Sequence, residues 1–163
     1  MLGTGKYGRP NRIWLLTMII ANAVVAFVLL SFLLRLFAID NIVLSAAKLD
    51  GPPNRWALSL VLLPGAAIAF GCLWYWLVVV GRTRGIVWGG ALVYGMIIGV
   101  CNIPLGGLIL GVLNGAPLFN MLIALLLMLL LPKTLICAGL FGTAMGVFNG
   151  TSAQQWIDAH RKR

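Results

Sequence analysis

The chain has 163 residues, 61% of them hydrophobic and 9% charged, with twelve Lys and Arg against three Asp and no Glu. A soluble domain is about half apolar and about a quarter charged, and one of this size buries only about two-thirds of what its unfolded chain exposes, so a water-soluble fold is excluded and lipid is the fitting solvent. A net charge of +9 would point to nucleic acid in a soluble protein. Here the basic residues cluster beside long apolar runs, so anionic lipid headgroups are the expected partner and nucleic acid is not.

Residues 1–12 form a polar, glycine-rich tail carrying Lys6, Arg9 and Arg12. Residues 13–34 hold no charge and are long enough to cross a hydrocarbon core. The run is too long for a signal-peptide core and lacks a small-residue cleavage site, so it is expected to be a retained first helix. Over residues 36–50, Leu36, Ile39, Val43 and Ala47 recur at helical spacing while Asp40, Asn41 and Lys48 fall elsewhere. That pattern predicts a short amphipathic helix at the interface, broken by Gly51-Pro52-Pro53-Asn54.

Residues 56–80 form the second predicted span, with Pro64 near its start. The short Gly81-Arg82-Thr83-Arg84-Gly85 link makes the second and third spans antiparallel neighbours. The third covers residues 86–113, about 42 Å of helix, which exceeds the hydrocarbon core by roughly 10 Å. Pro104 inside it removes a backbone donor and predicts a kink. Asn114-Gly115-Ala116-Pro117 is a turn. The fourth span, residues 118–148, is again over-long and predicts a kink at Pro132. It is one kinked span or two short segments. Five crossings would place Arg161-Lys162-Arg163 outside, against the charge rule. The expected fold is therefore one all-α domain over residues 1–163, a polytopic transmembrane helix bundle with four spans.

With four spans, Lys6, Arg9, Arg12, Arg82, Arg84, Arg161, Lys162 and Arg163 share one side, which the positive-inside rule makes cytoplasmic, with both termini. Lys48 and Arg55 lie opposite, balanced by Asp40 and Asp50, with Arg35 at the edge. The expected location is a bacterial inner membrane. Trp14, Trp76, Trp88 and Trp156 fall near the cytoplasmic boundary and Trp56 near the outer one, where indoles anchor helices.

Glycines recur at spacing four. Gly95 and Gly99 continue one ladder, Gly107, Gly111 and Gly115 form a second, and Gly142, Gly146 and Gly150 a third. Such ladders let backbones approach closely, within one bundle or across an oligomer seam. The segments 107–115 and 142–150 resemble each other, each closing on Asn-Gly. Paired broken helices point to a transporter site, but two helix ends that close with the same Asn-Gly stop are the preferred explanation of the match.

Asn22 and Asn102 are the candidate polar groups within the membrane, able to bridge helices or, for Asn102, to satisfy carbonyls freed by Pro104. Lys133, counted from Leu118, lies about 22 Å along the fourth helix. There it is expected to snorkel to the cytoplasmic face, and a shifted helix would put it near midplane, where a cation marks function. Cys72, Cys101 and Cys137 read as small buried hydrophobes, not metal or disulfide sites. The three Asp lie in loops or tails and His160 is near the end, so neither general acid–base catalysis nor a metal or other cofactor is expected. The expected function is that of a non-catalytic accessory, assembly or regulatory subunit contacting other membrane subunits or its own copies. The alternative is a small oligomeric channel or transporter with a site near Asn102/Pro104 and Pro132/Lys133.

Overall fold

The computed structural model describes residues 12–37, 57–84, 87–113 and 131–161, with residues 115, 117 and 126. Among them stand four helices and no strand: α1 (Arg12–Leu36), α2 (Ala57–Arg84), α3 (Val87–Leu113) and α4 (Pro132–Arg161). Beyond Phe37, the expected interfacial helix at 36–50 lies outside the described residues, as does Trp56.

Three of the helix ends have a local reason. Arg35 sits in the last turn of α1, where a cation meets the negative end of the helix dipole. The Phe37 N–H donates to the Leu33 carbonyl at 3.0 Å, closing that turn. Past α3, the Gly115 N–H reaches the Val112 carbonyl at 3.0 Å, and Gly115 takes φ 68°, a left-handed turn that glycine adopts without strain.

The start of α4 corrects the expected fourth span. Residues 118–148 are expected to form it, as one span kinked at Pro132 or two short segments split there, followed by a tail from Thr151. Instead Pro132 is the first residue of a 30-residue helix that runs through Asn149-Gly150 to Arg161. Proline is well suited to that position, because its ring presets a helical φ and the missing N–H would have no partner in the first turn. The Leu131 carbonyl accepts the opening bonds, from the N–H of Thr134 at 3.0 Å and of Leu135 at 3.2 Å.

Close contacts set the directions of the four helices. Ile19 fills the space beside Gly71, with its Cγ1 2.5 Å from where a glycine Cβ would stand. The Ser31 hydroxyl donates to Ser59 Oγ at 3.5 Å. Together these make α1 and α2 antiparallel. Gly90 lies beside Trp76 and Leu77, and Gly65 beside Asn102, so α2 and α3 are antiparallel too. In α3 and α4, Gly95 faces Gly142 and Gly146, and Gly99 faces Ala138 and Gly142. These two helices form the closest pair in the bundle, also antiparallel. Because α2 and α4 each touch both α1 and α3, while α1 and α3 scarcely touch each other, α1 and α3 stand on opposite sides of the α2–α4 pair. The start of α1, the end of α2, the start of α3 and the end of α4 therefore share one end of the bundle.

The distribution of side chains is that of a protein in lipid. Ile13, Leu16, Ile20, Val24, Val28, Phe32 and Leu36 form an exposed stripe along α1, while Asn22, Ser59, Asn102, Thr134 and Asn149 are buried. Large apolar patches of this kind mark a membrane or protein contact. Among the described residues, three helices carry stretches long and apolar enough to cross a bilayer: Arg12–Leu36, Ser59–Val79 and Pro132–His160. The apolar stretch described in α3, Val87–Asn102, is shorter. The chain is an α-helical membrane protein.

The α3–α4 contact generates a paired prediction. A Cβ on Gly142 would collide with the Gly95 carbonyl oxygen and the Met96 Cα, whereas one on Gly139 meets nothing within 4 Å. Gly142→Ala should therefore cost about 1–3 kcal/mol through overpacking. Gly139→Ala should gain about 0.5–1 kcal/mol from helix propensity alone. Unfolding in mixed detergent micelles measures both, and equal responses would contradict this contact.

Candidate functional site

The polar residues of the interior divide into two groups, one fully satisfied and one not. Asn22 of α1 and Asn149 of α4 are both 0% exposed. Asn22 Nδ2 donates to Asn149 Oδ1 at 3.0 Å, and Asn149 Nδ2 donates to Asn22 Oδ1 at 2.7 Å. Each amide gives a second hydrogen to its own helix, Asn22 to the Met18 carbonyl and Asn149 to the Met145 carbonyl, both at 2.8 Å. Four donor hydrogens thus meet four acceptors, with none left facing the apolar interior. This closed pair spans α1 and α4, a looser contact than that between α3 and α4.

The second group lies between α2, α3 and α4. Asn102 is 7% exposed and Thr134 is 2% exposed. Neither Asn102 Nδ2 nor Thr134 Oγ1 has a hydrogen-bond partner. Asn102 Oδ1 points toward α2, 3.2 Å from where a Cβ on Gly65 would stand. The amide nitrogen was expected to reach carbonyls freed by Pro104, and it makes no such bond.

The first turn of α4 holds Lys133, which is exposed. This overturns its expected depth near the cytoplasmic face. The expectation counted along a helix starting at Leu118. With the helix starting at Pro132 and running antiparallel to α3, Lys133 falls toward the end where α3 finishes, opposite the α2–α3 link.

The glycines divide in the same way. Gly95, Gly99, Gly142 and Gly146 meet across the α3–α4 seam, and Gly150 rests on Ala91 and Trp88. A Cβ on Gly146 would stand 2.5 Å from the Ala91 carbonyl oxygen. Gly115 is outside this seam, with nothing within 4 Å of a Cβ there. Gly107 and Gly111 fall within α3, and their packing lies outside what is described. The matched segments 107–115 and 142–150 do different work: the first leads into the Gly115 turn, the second is continuous helix.

Of the tryptophans, Trp14, Trp76 and Trp88 are exposed. Trp156 is 8% exposed and set edge-on against Trp74 with ring centres 6.4 Å apart. His160 stacks on Trp156 at 3.9 Å, its Nδ1 2.9 Å from the Trp156 carbonyl oxygen. Asp158 accepts hydrogen bonds from Gln154 Nε2 at 3.1 and 3.2 Å. Of the cysteines, Cys137 is buried, while Cys72 and Cys101 are exposed on the apolar surface. Among the described residues, no three His, Cys, Asp or Glu side chains converge.

Sequence reasoning missed Asn149 and Thr134. Both carried a signal. Thr134 begins a spacing of four that continues through Ala138, Gly142, Gly146 and Gly150. Asn149, taken as a helix stop, is the one amide in the α4 segment placed to answer Asn22.

Replacing Asn149 with Leu should strand the Asn22 amide and cost about 0.5–2 kcal/mol, the range for hydrogen bonds between membrane helices. The double variant Asn22→Leu/Asn149→Leu should lose less than the two single losses combined. A double-mutant cycle on unfolding measures this, and strict additivity would rule out a shared bond.

No family model matches the chain, and neither a curated protein nor a solved structure is significantly similar to it.

Proposed function

We propose that the chain is a non-catalytic, multi-pass subunit of a bacterial inner membrane, acting as an accessory, assembly or regulatory partner of other membrane subunits or of its own copies. What supports it is the use made of the small and polar side chains. Gly95, Gly99, Gly142 and Gly146 bring two helices into backbone contact, and Asn22 and Asn149 satisfy each other. Specific chemistry is thereby directed at holding helices together. The outer faces of α1 and α3 stay apolar, with Ile20, Val24, Val28, Val93 and Ile97 exposed to lipid or to a neighbouring helix. A bend in α3 at Pro104 belongs to the same proposal.

Both termini are assigned to the cytoplasm, where Lys6, Arg9, Arg12, Arg82, Arg84, Arg161, Lys162 and Arg163 meet anionic headgroups. The antiparallel order of the helices brings Arg12, residues 82–84 and Arg161 toward one end of the bundle. The competing proposal, an oligomeric channel or transporter, draws on buried Asn102. A solute or ion flux in reconstituted vesicles that falls on Asn102→Leu would favour it.

Two measurements test the main proposal. Extracted in mild detergent, the protein should migrate with a larger complex, and recovery only as a lone monomer would defeat the subunit assignment. For orientation, Cys72, Cys101 and Cys137 are replaced by Ala and single cysteines introduced at residues 6 and 162. Both should react with an impermeant maleimide only after the cells are opened; labelling of intact cells would reverse the assigned sidedness.

A further inference from the structure

Two buried polar groups without partners lie at one end of the α3–α4 seam. Gly99 packs against Ala138 there. Asn102 follows Gly99 by three residues, and Thr134 precedes Ala138 by four. Residues three or four apart share a helix face, and the two helices are antiparallel. Both side chains are therefore carried one turn along the same seam, in the same direction. Asn102 is 7% exposed and Thr134 2% exposed, and neither Asn102 Nδ2 nor Thr134 Oγ1 makes a hydrogen bond within the protein.

We propose that Asn102 and Thr134 share one bound water molecule, held between α3 and α4 where the glycine seam gives way to larger side chains. The hydrogen-bonding pattern selects the ligand. Asn102 Nδ2 can only donate, so the ligand must present an acceptor. Thr134 can donate or accept. Water is the smallest molecule that accepts from the first and bonds the second in either sense. Buried waters bridge polar groups in this way. The surroundings restrict size and charge. Asn102 Oδ1 already stands 3.2 Å from a Cβ position on Gly65, which leaves little room on the α2 side. Neither Asn102 nor Thr134 carries charge, which suits a neutral ligand. The site does not depend on whether the protein is a subunit or a channel.

The experiment is a thermal unfolding cycle on the full chain in detergent, using Asn102→Leu, Thr134→Val and the double variant. A shared water makes both polar groups useful, so each single substitution should lower the midpoint by about 3–6 °C. The double variant should lose clearly less than the summed shifts, because either change alone breaks the bridge. Thr134→Ser keeps the hydroxyl and should stay close to the unsubstituted protein. The proposal is overturned by a rise in midpoint on Thr134→Val, which is the response of a buried hydroxyl relieved of its desolvation cost. Strictly additive losses overturn it as well. Should Thr134→Val fail to fold, Thr134→Ser decides: a normal midpoint supports the bridge, and failure of both shows a packing role instead.

Discussion

The bundle depends on the contact between the backbones of α3 and α4. In lipid, bringing two apolar helices together gains no hydrophobic free energy, because acyl chains are as apolar as leucine. Association rests on close packing and hydrogen bonds, and both improve when side chains are small enough for main chains to touch. Gly95 and Gly99 on one helix, with Gly142 and Gly146 on the other, meet that requirement so closely that added methyl groups would collide with main-chain atoms. The same contact sets the direction of α4. It also sets which residues reach each end: Lys133 and Thr134 at one, Trp156 and His160 at the other.

Once α4 is docked by its glycines, its remaining polar residues face fixed surroundings. Asn149 is carried to α1, where Asn22 supplies complementary donors and acceptors and the pair closes on itself. This bond contributes specificity more than strength, since amide pairs between membrane helices are worth about a kcal/mol. Its value lies in the alternative: either amide alone would be buried in an apolar interior without a partner, at a cost of about 1–3 kcal/mol. Only the native register of α1 against α4 avoids that cost. At the far end of the α3–α4 seam, Asn102 and Thr134 have no such protein partner. The α1–α4 and α3–α4 interfaces thus differ in chemistry, one with its amides closed on each other and one still able to bond.

The aromatic residues follow the same division between lipid and interior. Trp76 lies outside, edge-on to Tyr94 with ring centres 5.0 Å apart. Phe70 and Phe141 form a similar edge-on pair within the core, at 5.8 Å. Trp74 and Trp156 close the bundle at the end where α4 finishes. These pairs favour perpendicular rings because the positive edge of one meets the negative face of the other.

Composition alone determined the solvent: a chain so apolar and so poor in charge cannot hide its surface in water. Apolar runs between charges determined that helices form near residues 13–34, 56–80 and 86–113, because length and hydropathy are local properties. Glycine at spacing four announced close contacts, and Asn22 stood out as a costly polar group in need of a partner. What the sequence could not decide was which partner each found. Gly142 meets Gly95, and Asn22 meets Asn149, across more than a hundred residues of chain in the second case; such choices belong to tertiary register. The start of α4 shows the same limit. Pro132 can kink a helix or begin one, and both readings fit the local sequence. The outcome rests on whether the segment after Pro132 has a surface to dock on, and the small-residue face of α3 provides it. That contact, between elements distant in sequence, moved Lys133 to the first turn and turned an expected tail into helix.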